Sequence, residues 1–129
     1  MVIDTSAVVA ILMGEPDAER YATALAGAPR LMMAAPTWLE AAQVATARRG
    51  PEGHAYLLEL LTRIQVTVVP FDEALARLAY EGWLRYGRGR HAAGLNFGDC
   101  FAYALARQRG EPLLFKGEDF SKTDVLAAL

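Results

Sequence analysis

The sequence has little cysteine, no long apolar run and no strong excess of either charge sign. Its single cysteine, Cys100, rules out an internal disulfide, so a reducing cytoplasm is the expected location. No apolar stretch approaches the roughly 20 residues of a membrane span, and the first residues lack the basic region of a signal peptide. A net charge of −2 does not indicate nucleic-acid binding, although a local basic patch can act despite the sum.

Internal repeats, low-complexity tracts and linker-like segments are also missing. A chain of 129 residues is long enough for one hydrophobic core. Its 53% hydrophobic and 22% charged residues are typical of a globular protein. We therefore expect a single domain over residues 1–129.

Four short apolar runs alternate with helical segments. The expected strands are 1–3, 31–34, 66–69 and 112–115, with helices beginning near Glu15-Pro16-Asp17, at Thr37, near His54, at Asp72 and at Asn96. Thr37 and Glu40 match a capping box, and Gly50-Pro51 should end that helix. Strands alternating with helices predict an α/β fold, with a central parallel sheet of four to five strands and helices on both faces.

Four acidic residues fall where this fold would bring them to one edge. Asp4 ends the first strand, Asp119 follows the last, and Glu40 and Asp99 lie in the first turns of two helices. Strand C-termini and the following helix N-termini share one edge of such a sheet. Carboxylates about 4 Å apart repel one another by several kcal/mol at intermediate dielectric. A hard divalent cation such as Mg²⁺ or Mn²⁺, which prefers oxygen ligands, relieves that repulsion.

Each acid also has a purely local explanation. Glu40 could complete the capping box with Thr37, Asp99 could interact with its helix dipole, and Asp119 could cap a turn. Asp4 is the hardest to explain this way, because an acid after a buried strand is costly without a compensating partner. The joint placement of the four favours a metal site, and a metal held by carboxylates can activate water against a phosphodiester.

Three ordered motifs resemble those of the PIN-domain ribonucleases, and specifically the VapC-type toxins of toxin–antitoxin pairs. The motifs are Val2-Ile3-Asp4-Thr5-Ser6-Ala7, the run 96–106 beginning Asn96-Phe97-Gly98-Asp99, and the run 114–124 containing Asp119. The resemblance covers nearly the whole chain. It implies a single PIN-like domain that acts as a metal-dependent endoribonuclease on single-stranded regions of RNA.

The resemblance also implies roles for individual residues. Asp4, Glu40, Asp99 and Asp119 match the acidic quartet of the family and would be both catalytic and metal-binding, with Mg²⁺ as cofactor and Mn²⁺ as its substitute. Asp4 and Asp99 would be the principal ligands, while Glu40 and Asp119 would act through water or hold a second metal. The hydroxyl of Thr5 or Ser6 would orient either Asp4 or a water bound to the metal.

The same resemblance implies partners besides RNA. A cognate antitoxin would insert into the acidic cleft, often with an arginine, and we expect its docking groove near Val8, Leu12 and Leu57. A homodimer is typical of the family, and no membrane is involved.

Basic residues near Asp99 and Asp119 are candidates for contacts with substrate. Arg85, Arg88 and Arg90 surround Tyr86, on which a base could stack. Lys116 follows the last strand and could either contact a substrate phosphate or pair with the acids when metal is absent. A solvated surface loop is the alternative explanation for this arginine-rich segment. Asp124 is a weaker candidate, because Thr123-Asp124 resembles a cap for the terminal segment.

Three other functions fit the sequence less well. A receiver domain would need a phospho-accepting Asp after a central strand, whereas Asp72 resembles a helix cap. A haloacid-dehalogenase-type phosphatase would need a second Asp two residues after Asp4, where this chain has Ser6. The main alternative is a catalytically silent PIN-fold module that binds RNA or protein, against which the complete set of four acids argues.

Overall fold

Four short strands form one parallel sheet in the computed structural model, which describes residues 1–129. The strands are β1 (Val2–Ile3), β2 (Met32–Ala34), β3 (Thr67–Val69) and β4 (Leu113–Leu114), in the spatial order β3-β2-β1-β4. Every neighbouring pair is parallel. The predicted α/β class and the four-stranded parallel sheet are confirmed.

Helices connect the strands. They are α1 (Thr5–Leu12), α2 (Ala18–Gly27), α3 (Ala35–Arg63), α4 (Glu73–Tyr86) and α5 (Phe97–Arg109), followed by a short 3₁₀ turn at Phe120–Lys122. The α3 segment is two helices joined at Gly50, whose φ of 62° and ψ of −155° are not helical. The predicted break at Gly50-Pro51 is therefore present, although the chain resumes a helix at once. No helix is both long enough and apolar enough to cross a membrane.

The sheet has a separate hydrophobic cluster on each face. Val2 packs with Leu105 and other residues of α4 and α5, whereas its neighbour Ile3 packs with Val8 and other residues of α1, α2 and α3. Successive strand residues point to opposite faces, so a two-residue strand contributes to both clusters. The prediction of helices on both faces is confirmed.

The expected docking groove near Val8, Leu12 and Leu57 is wrong. All three side chains are buried within the cluster that packs α1, α2 and α3 against the sheet. The apolar pattern that suggested an open groove instead fills the core, because these helices cover the same sheet face. A protein partner cannot contact these side chains unless the helices separate.

The capping box predicted for Thr37 and Glu40 is also wrong. The helix begins three residues earlier, with Ala34 in place of Thr37 as N-cap, Pro36 within the first two positions and no side-chain cap. Thr37 is buried, and its hydroxyl oxygen has no hydrogen-bond partner. Glu40 therefore lies in the second turn, where its carboxylate is not used for capping.

The strand order locates the ligand-binding edge. β1 lies between β2 and β4, so the chain winds to one side of β1 first and crosses to the other side for β4. In open α/β sheets, such a reversal opens a crevice at the carboxyl ends of the strands. Asp4 directly follows β1, and Lys116 to Asp119 follow β4.

Candidate active site

Asp4 is buried and hydrogen-bonded at the end of the central strand. Asp4 is only 4% exposed and is the N-cap of α1. One carboxylate oxygen, Oδ2, accepts hydrogen bonds from the Ser6 amide at 3.0 Å and the Ser6 hydroxyl at 2.6 Å. The Ser6 oxygen in turn accepts from the Lys116 amide at 2.9 Å. Ser6 thus fixes Asp4 relative to the segment after β4.

Thr5, the other hydroxyl expected to orient Asp4, has a different contact. Its hydroxyl donates to the Thr37 carbonyl at 3.3 Å, which joins the starts of α1 and α3. Of the two predicted hydroxyls, Ser6 alone donates to the Asp4 carboxylate.

Asp99 belongs to a reciprocal capping box at the start of α5. The Asp99 amide donates to Asn96 Oδ1 at 2.9 Å, and the Asn96 amide donates to Asp99 Oδ2 at 2.9 Å. This pattern of two satisfied backbone donors is the one that the sequence predicted at Thr37. The box uses one carboxylate oxygen of Asp99, and the other oxygen has no hydrogen bond within the chain.

Glu40 reaches the same helix terminus from α3. Its carboxylate lies against the α-carbon of Gly98, so closely that a Cβ added at Gly98 would overlap it. A glycine between Phe97 and Asp99 therefore makes room for Glu40. Gly98 has an ordinary φ, so this is a requirement of space and not of backbone conformation.

Asp119 stands at the outer side of this edge. It is exposed and precedes the 3₁₀ turn, but its side chain makes no capping hydrogen bond. Its backbone carbonyl accepts from the Lys122 amide. The local explanation, that Asp119 serves as a turn cap, is therefore wrong, and its carboxylate can face other groups.

The four acids influence one another electrostatically. Burial raises the pKa of Asp99 to about 6, opposed by the Asn96 amide and reinforced by the negative charges of Asp4, Asp119 and Glu40. Burial also raises the pKa of Asp4; the Ser6 hydrogen bonds oppose the shift, and the charge of Glu40 adds to it. The structure thus brings all four sequence-predicted acids to one edge.

The donor set fits a hard divalent cation. All four groups are carboxylates, the ligands that Mg²⁺ and Mn²⁺ prefer, and a cation would offset the burial and repulsion that raise these pKa values. No three acid, histidine or cysteine side chains stand in an arrangement that would hold an ion directly. Mg²⁺ usually binds through one or two carboxylates and keeps several waters, so the looser spacing suits a hydrated ion.

The four basic candidates lie in different surroundings. Lys116 pairs with Glu15 and with Asp17, the latter at 2.9 Å, and both hydrogen bonds raise its pKa. Arg85 pairs with Asp124 at 3.1 Å. Thus two of the four are engaged with carboxylates outside the acidic quartet, and their role in substrate binding stays a prediction.

The other two arginines lie beside a groove between α4 and α5, whose lining includes the side chains of Phe71, Tyr80, Trp83, Phe97 and Phe101. Arg90 places its guanidinium 4.8 Å from the Trp83 ring centroid and donates to the Leu84 carbonyl, while Arg88 lines the groove itself. Tyr86, the predicted stacking residue, is half-buried against His91 and Tyr103. Its ring packs against the core, and the Arg85 guanidinium lies 5.0 Å from the ring centroid.

Asp124 fastens the terminal segment to the helices. It accepts hydrogen bonds from the Tyr103 hydroxyl at 2.9 Å and from Arg85, and burial together with Asp124 raises the pKa of Tyr103 to about 12. The capping function predicted for the pair belongs to Thr123, whose hydroxyl donates to the Phe120 carbonyl. Asp124 has a structural contact and is not among the four acids above.

Sequence reasoning missed two residues that shape the site. Asn96 was recognised as a helix start but not as the partner that holds Asp99, although its position three residues earlier is the capping-box signature. Gly98 carried no signal of its own, since only the tertiary approach of Glu40 reveals why a side chain is excluded there.

The chain is similar to known proteins over nearly its whole length. A family model described as "PIN domain" matches residues 1–126. The chain is 52% identical over 127 residues to "Ribonuclease VapC" of Mycolicibacterium smegmatis, covering 98% of this chain and 98% of that one.

Solved structures share the fold at low sequence identity. The crystal structure of Mycobacterium tuberculosis VapC20, described as a sarcin-ricin loop cleaving toxin, has a TM-score of 0.79 at 20% identity and covers 97% of this chain and 95% of its own. A toxin–antitoxin complex from Klebsiella pneumoniae has a TM-score of 0.74 at 16% identity and covers 99% and 97%. The resemblance drawn from the sequence motifs is confirmed, and the chain belongs to the PIN-domain family as a VapC-type member.

Proposed function

We propose that this chain is a metal-dependent endoribonuclease and the toxin of a toxin–antitoxin pair. The observation that carries the proposal is the convergence of Asp4, Glu40, Asp99 and Asp119 at the carboxyl edge of the sheet, where the pKa of Asp99 responds to the other three. The high identity to a VapC ribonuclease over nearly the whole chain supports the same activity. A reducing cytoplasm, where RNA is abundant, is the proposed location.

Asp4 and Asp99 would hold the cation, with Glu40 and Asp119 acting through water or at a second ion. A Mg²⁺ or Mn²⁺ ion bound by these residues would supply an activated water and would neutralise charge on the phosphodiester. Ser6 keeps Asp4 in position through its hydroxyl, and the capping box leaves one Asp99 oxygen for the ion. The crevice would admit a single RNA strand, with Arg85, Arg88, Arg90 and Lys116 as phosphate contacts.

The antitoxin would block this cleft with a positive side chain. A neighbour of the same fold is a toxin–antitoxin complex, which supports a protein partner for this chain as well. An arginine of the antitoxin would offset the mutual repulsion of the carboxylates. We also propose that the toxin forms a homodimer.

The test is RNA cleavage by the purified chain without partner. A mixed cellular RNA pool is incubated with Mg²⁺, with Mn²⁺ and with EDTA, using wild type, Asp4→Asn, Asp99→Asn and the control Glu73→Gln. Glu73 is exposed on α4 and pairs only with Arg77. We expect discrete cuts that need metal, persist in Glu73→Gln and disappear in both aspartate variants.

Two results would contradict the proposal. Cleavage that survives EDTA and both aspartate substitutions would remove the acidic site from the mechanism. A folded wild type that binds metal and RNA but does not cut would instead support the catalytically silent binding module. Circular dichroism of every variant establishes that a loss of cutting is not a loss of folding.

A further inference from the structure

An apolar groove of about 740 Å³ lies between α4 and α5. Its lining includes five aromatic side chains, and these define what we call the aromatic groove: Phe71, Tyr80, Trp83, Phe97 and Phe101. Arg88 is the one charged residue in the lining, and no carboxylate contributes to it. A surface of this kind favours a flat aromatic ligand with a negatively charged group nearby.

The aromatic groove adjoins the acidic site through the first turn of α5. Asn96 and Cys100 line the groove, and Asp99 lies between them in the sequence. Gly98, next to Phe97, is the residue against which the Glu40 carboxylate rests. A strand of RNA whose phosphate lay at the acids would therefore have a neighbouring nucleotide within reach of the groove.

Phe97 is the most exposed aromatic side chain of the groove. It is 81% exposed, and Tyr80 is 59% exposed. The Phe97 ring meets Phe101 edge-on with centroids 4.8 Å apart, and Phe101 meets Phe71 in the same way at 5.1 Å. These contacts support the Phe97 ring from one side while most of its surface stays open to solvent. Exposing so large an apolar ring at a helix start is unfavourable for the chain alone.

We propose that the aromatic groove holds an unpaired base of the RNA strand, next to the phosphodiester bond that is cut. Phe97 stacks on the base, and Arg88 contacts the adjoining phosphate from the lining of the groove. Stacking on aromatic side chains suits any base, because every base has a π-face. This inference rests on the proposed ribonuclease function and adds to it a site for the substrate base.

The test measures binding of a fluorescein-labelled single-stranded RNA that spans a cut found in the cleavage assay. Asp4→Asn provides the background, so that the RNA stays intact. Phe97→Ala, Phe97→Trp and the control Tyr56→Ala are added to it, the last being an exposed aromatic residue of α3. Each protein is titrated with the intact RNA and with a copy lacking one base beside the cut.

We expect Phe97→Ala to weaken binding by about fivefold or more, as loss of one base stack predicts. Phe97→Trp and Tyr56→Ala should bind like the background protein. Removal of the base should weaken binding to the background protein to a similar extent and should have no further effect on Phe97→Ala. Such non-additivity identifies the base and the ring as partners.

Other outcomes overturn the inference. Equal binding by Phe97→Ala, or losses that simply add to those of the abasic RNA, would place the base elsewhere. If Phe97→Ala instead converts a dimer to a monomer in sedimentation, the aromatic groove is an interface between copies. Metal-dependent cutting that requires Asp4 and Asp99 would still uphold the ribonuclease function in these cases, whereas its absence would overturn both.

Discussion

At the scale of single residues, the two central aspartates differ in what compensates their burial. Asp4 is almost fully buried and accepts two hydrogen bonds from Ser6, whereas Asp99 relies on the Asn96 amide and faces three other acids. Both carboxylates have raised pKa values, so the folded chain disfavours their ionised forms. This is the electrostatic state that a bound cation would relieve.

Asp99→Asn should stabilise the metal-free chain in a pH-dependent way. The folded pKa of Asp99 is about 6 against an ordinary 3.8, so ionisation costs stability as pH rises between these values. Asparagine keeps an oxygen for the Asn96 amide but carries no charge. We expect the variant to gain up to about 3 kcal/mol of unfolding free energy at pH 8 in EDTA.

That gain should shrink as the pH falls from 7 toward 4, because wild-type Asp99 then becomes protonated as well. Urea denaturation across this range measures the effect. A gain that is independent of pH would mean that charge is not the cause, and added Mg²⁺ should narrow the difference by stabilising wild type.

Gly98→Ala should impair cleavage with little loss of stability. The new Cβ overlaps the Glu40 carboxylate, which is the end of a flexible side chain and can move aside. A displacement of about 1 Å at an active site can lower a rate by about 100-fold, so we expect kcat/KM for RNA cleavage to fall by about 10- to 100-fold.

The control for Gly98→Ala is Gly27→Ala, where a Cβ meets nothing within 4 Å. It should cut RNA like wild type. A Gly98→Ala enzyme with normal kcat/KM and an unchanged melting temperature would show that the position of Glu40 is unimportant.

At the scale of elements, helix ends position the site. The start of α1 presents Asp4, the start of α5 presents Asp99, and α3 brings Glu40 beside Gly98. The early start of α3 at Ala35 moves Glu40 from the first turn to the second. The residue was identified from sequence, but its neighbour depends on how α3 packs.

The joint within α3 provides a test of backbone strain. Gly50 and Gly110 both have φ of 62°, but ψ is −155° at Gly50 and 28° at Gly110. Gly110 is in the left-handed region that asparagine also adopts, whereas the Gly50 conformation is essentially restricted to glycine.

Gly50→Ala should therefore destabilise the chain by about 1–3 kcal/mol, and Gly110→Asn should destabilise it less, because asparagine can adopt the left-handed region. Chemical denaturation of both variants measures the two losses of unfolding free energy. A Cβ at either position meets nothing within 4 Å, so a steric overlap does not contribute to either loss. Equal losses would refute the backbone explanation.

At the scale of the whole molecule, the terminal segment closes the fold against β4. The Leu113 amide donates to the Leu126 carbonyl, and the Ala128 amide donates to the Leu113 carbonyl. Asp124 anchors this segment to α5 through Tyr103 and to α4 through Arg85. The partly buried hydrogen bond from Tyr103 to Asp124 should contribute more to the free energy of unfolding than the exposed ion pair between Arg85 and Asp124.

Tyr103→Phe should cost about 1.5–3 kcal/mol of unfolding free energy, as expected for a hydrogen bond to a charged group. Arg85→Gln, the matched control, should cost less than about 1 kcal/mol because its ion pair is exposed. Hydrogen exchange at the Ala128 amide should also quicken in Tyr103→Phe. Similar effects of both substitutions would show that the charge of Arg85 holds the segment.

The sequence by itself determined the strands, the helix stops and the identity of the four acids. Those features depend on local chemistry: Gly110 ends α5 because glycine adopts φ of 62° readily, and Asp72 caps α4 through the Leu75 amide. The strict order of the motifs around Asp4, Asp99 and Asp119 also sufficed to identify the family.

Only the tertiary structure decided which local possibility each residue fulfils. Thr37 fits a capping box by spacing, yet packing of α3 buries it and Asn96 forms the box instead. Val8, Leu12 and Leu57 are apolar in either case, but their burial depends on which helices cover the sheet. The aromatic groove exists only where α4 packs beside α5, and the requirement for glycine at position 98 exists only where Glu40 of α3 approaches it. Both features depend on contacts between residues that are far apart in the chain.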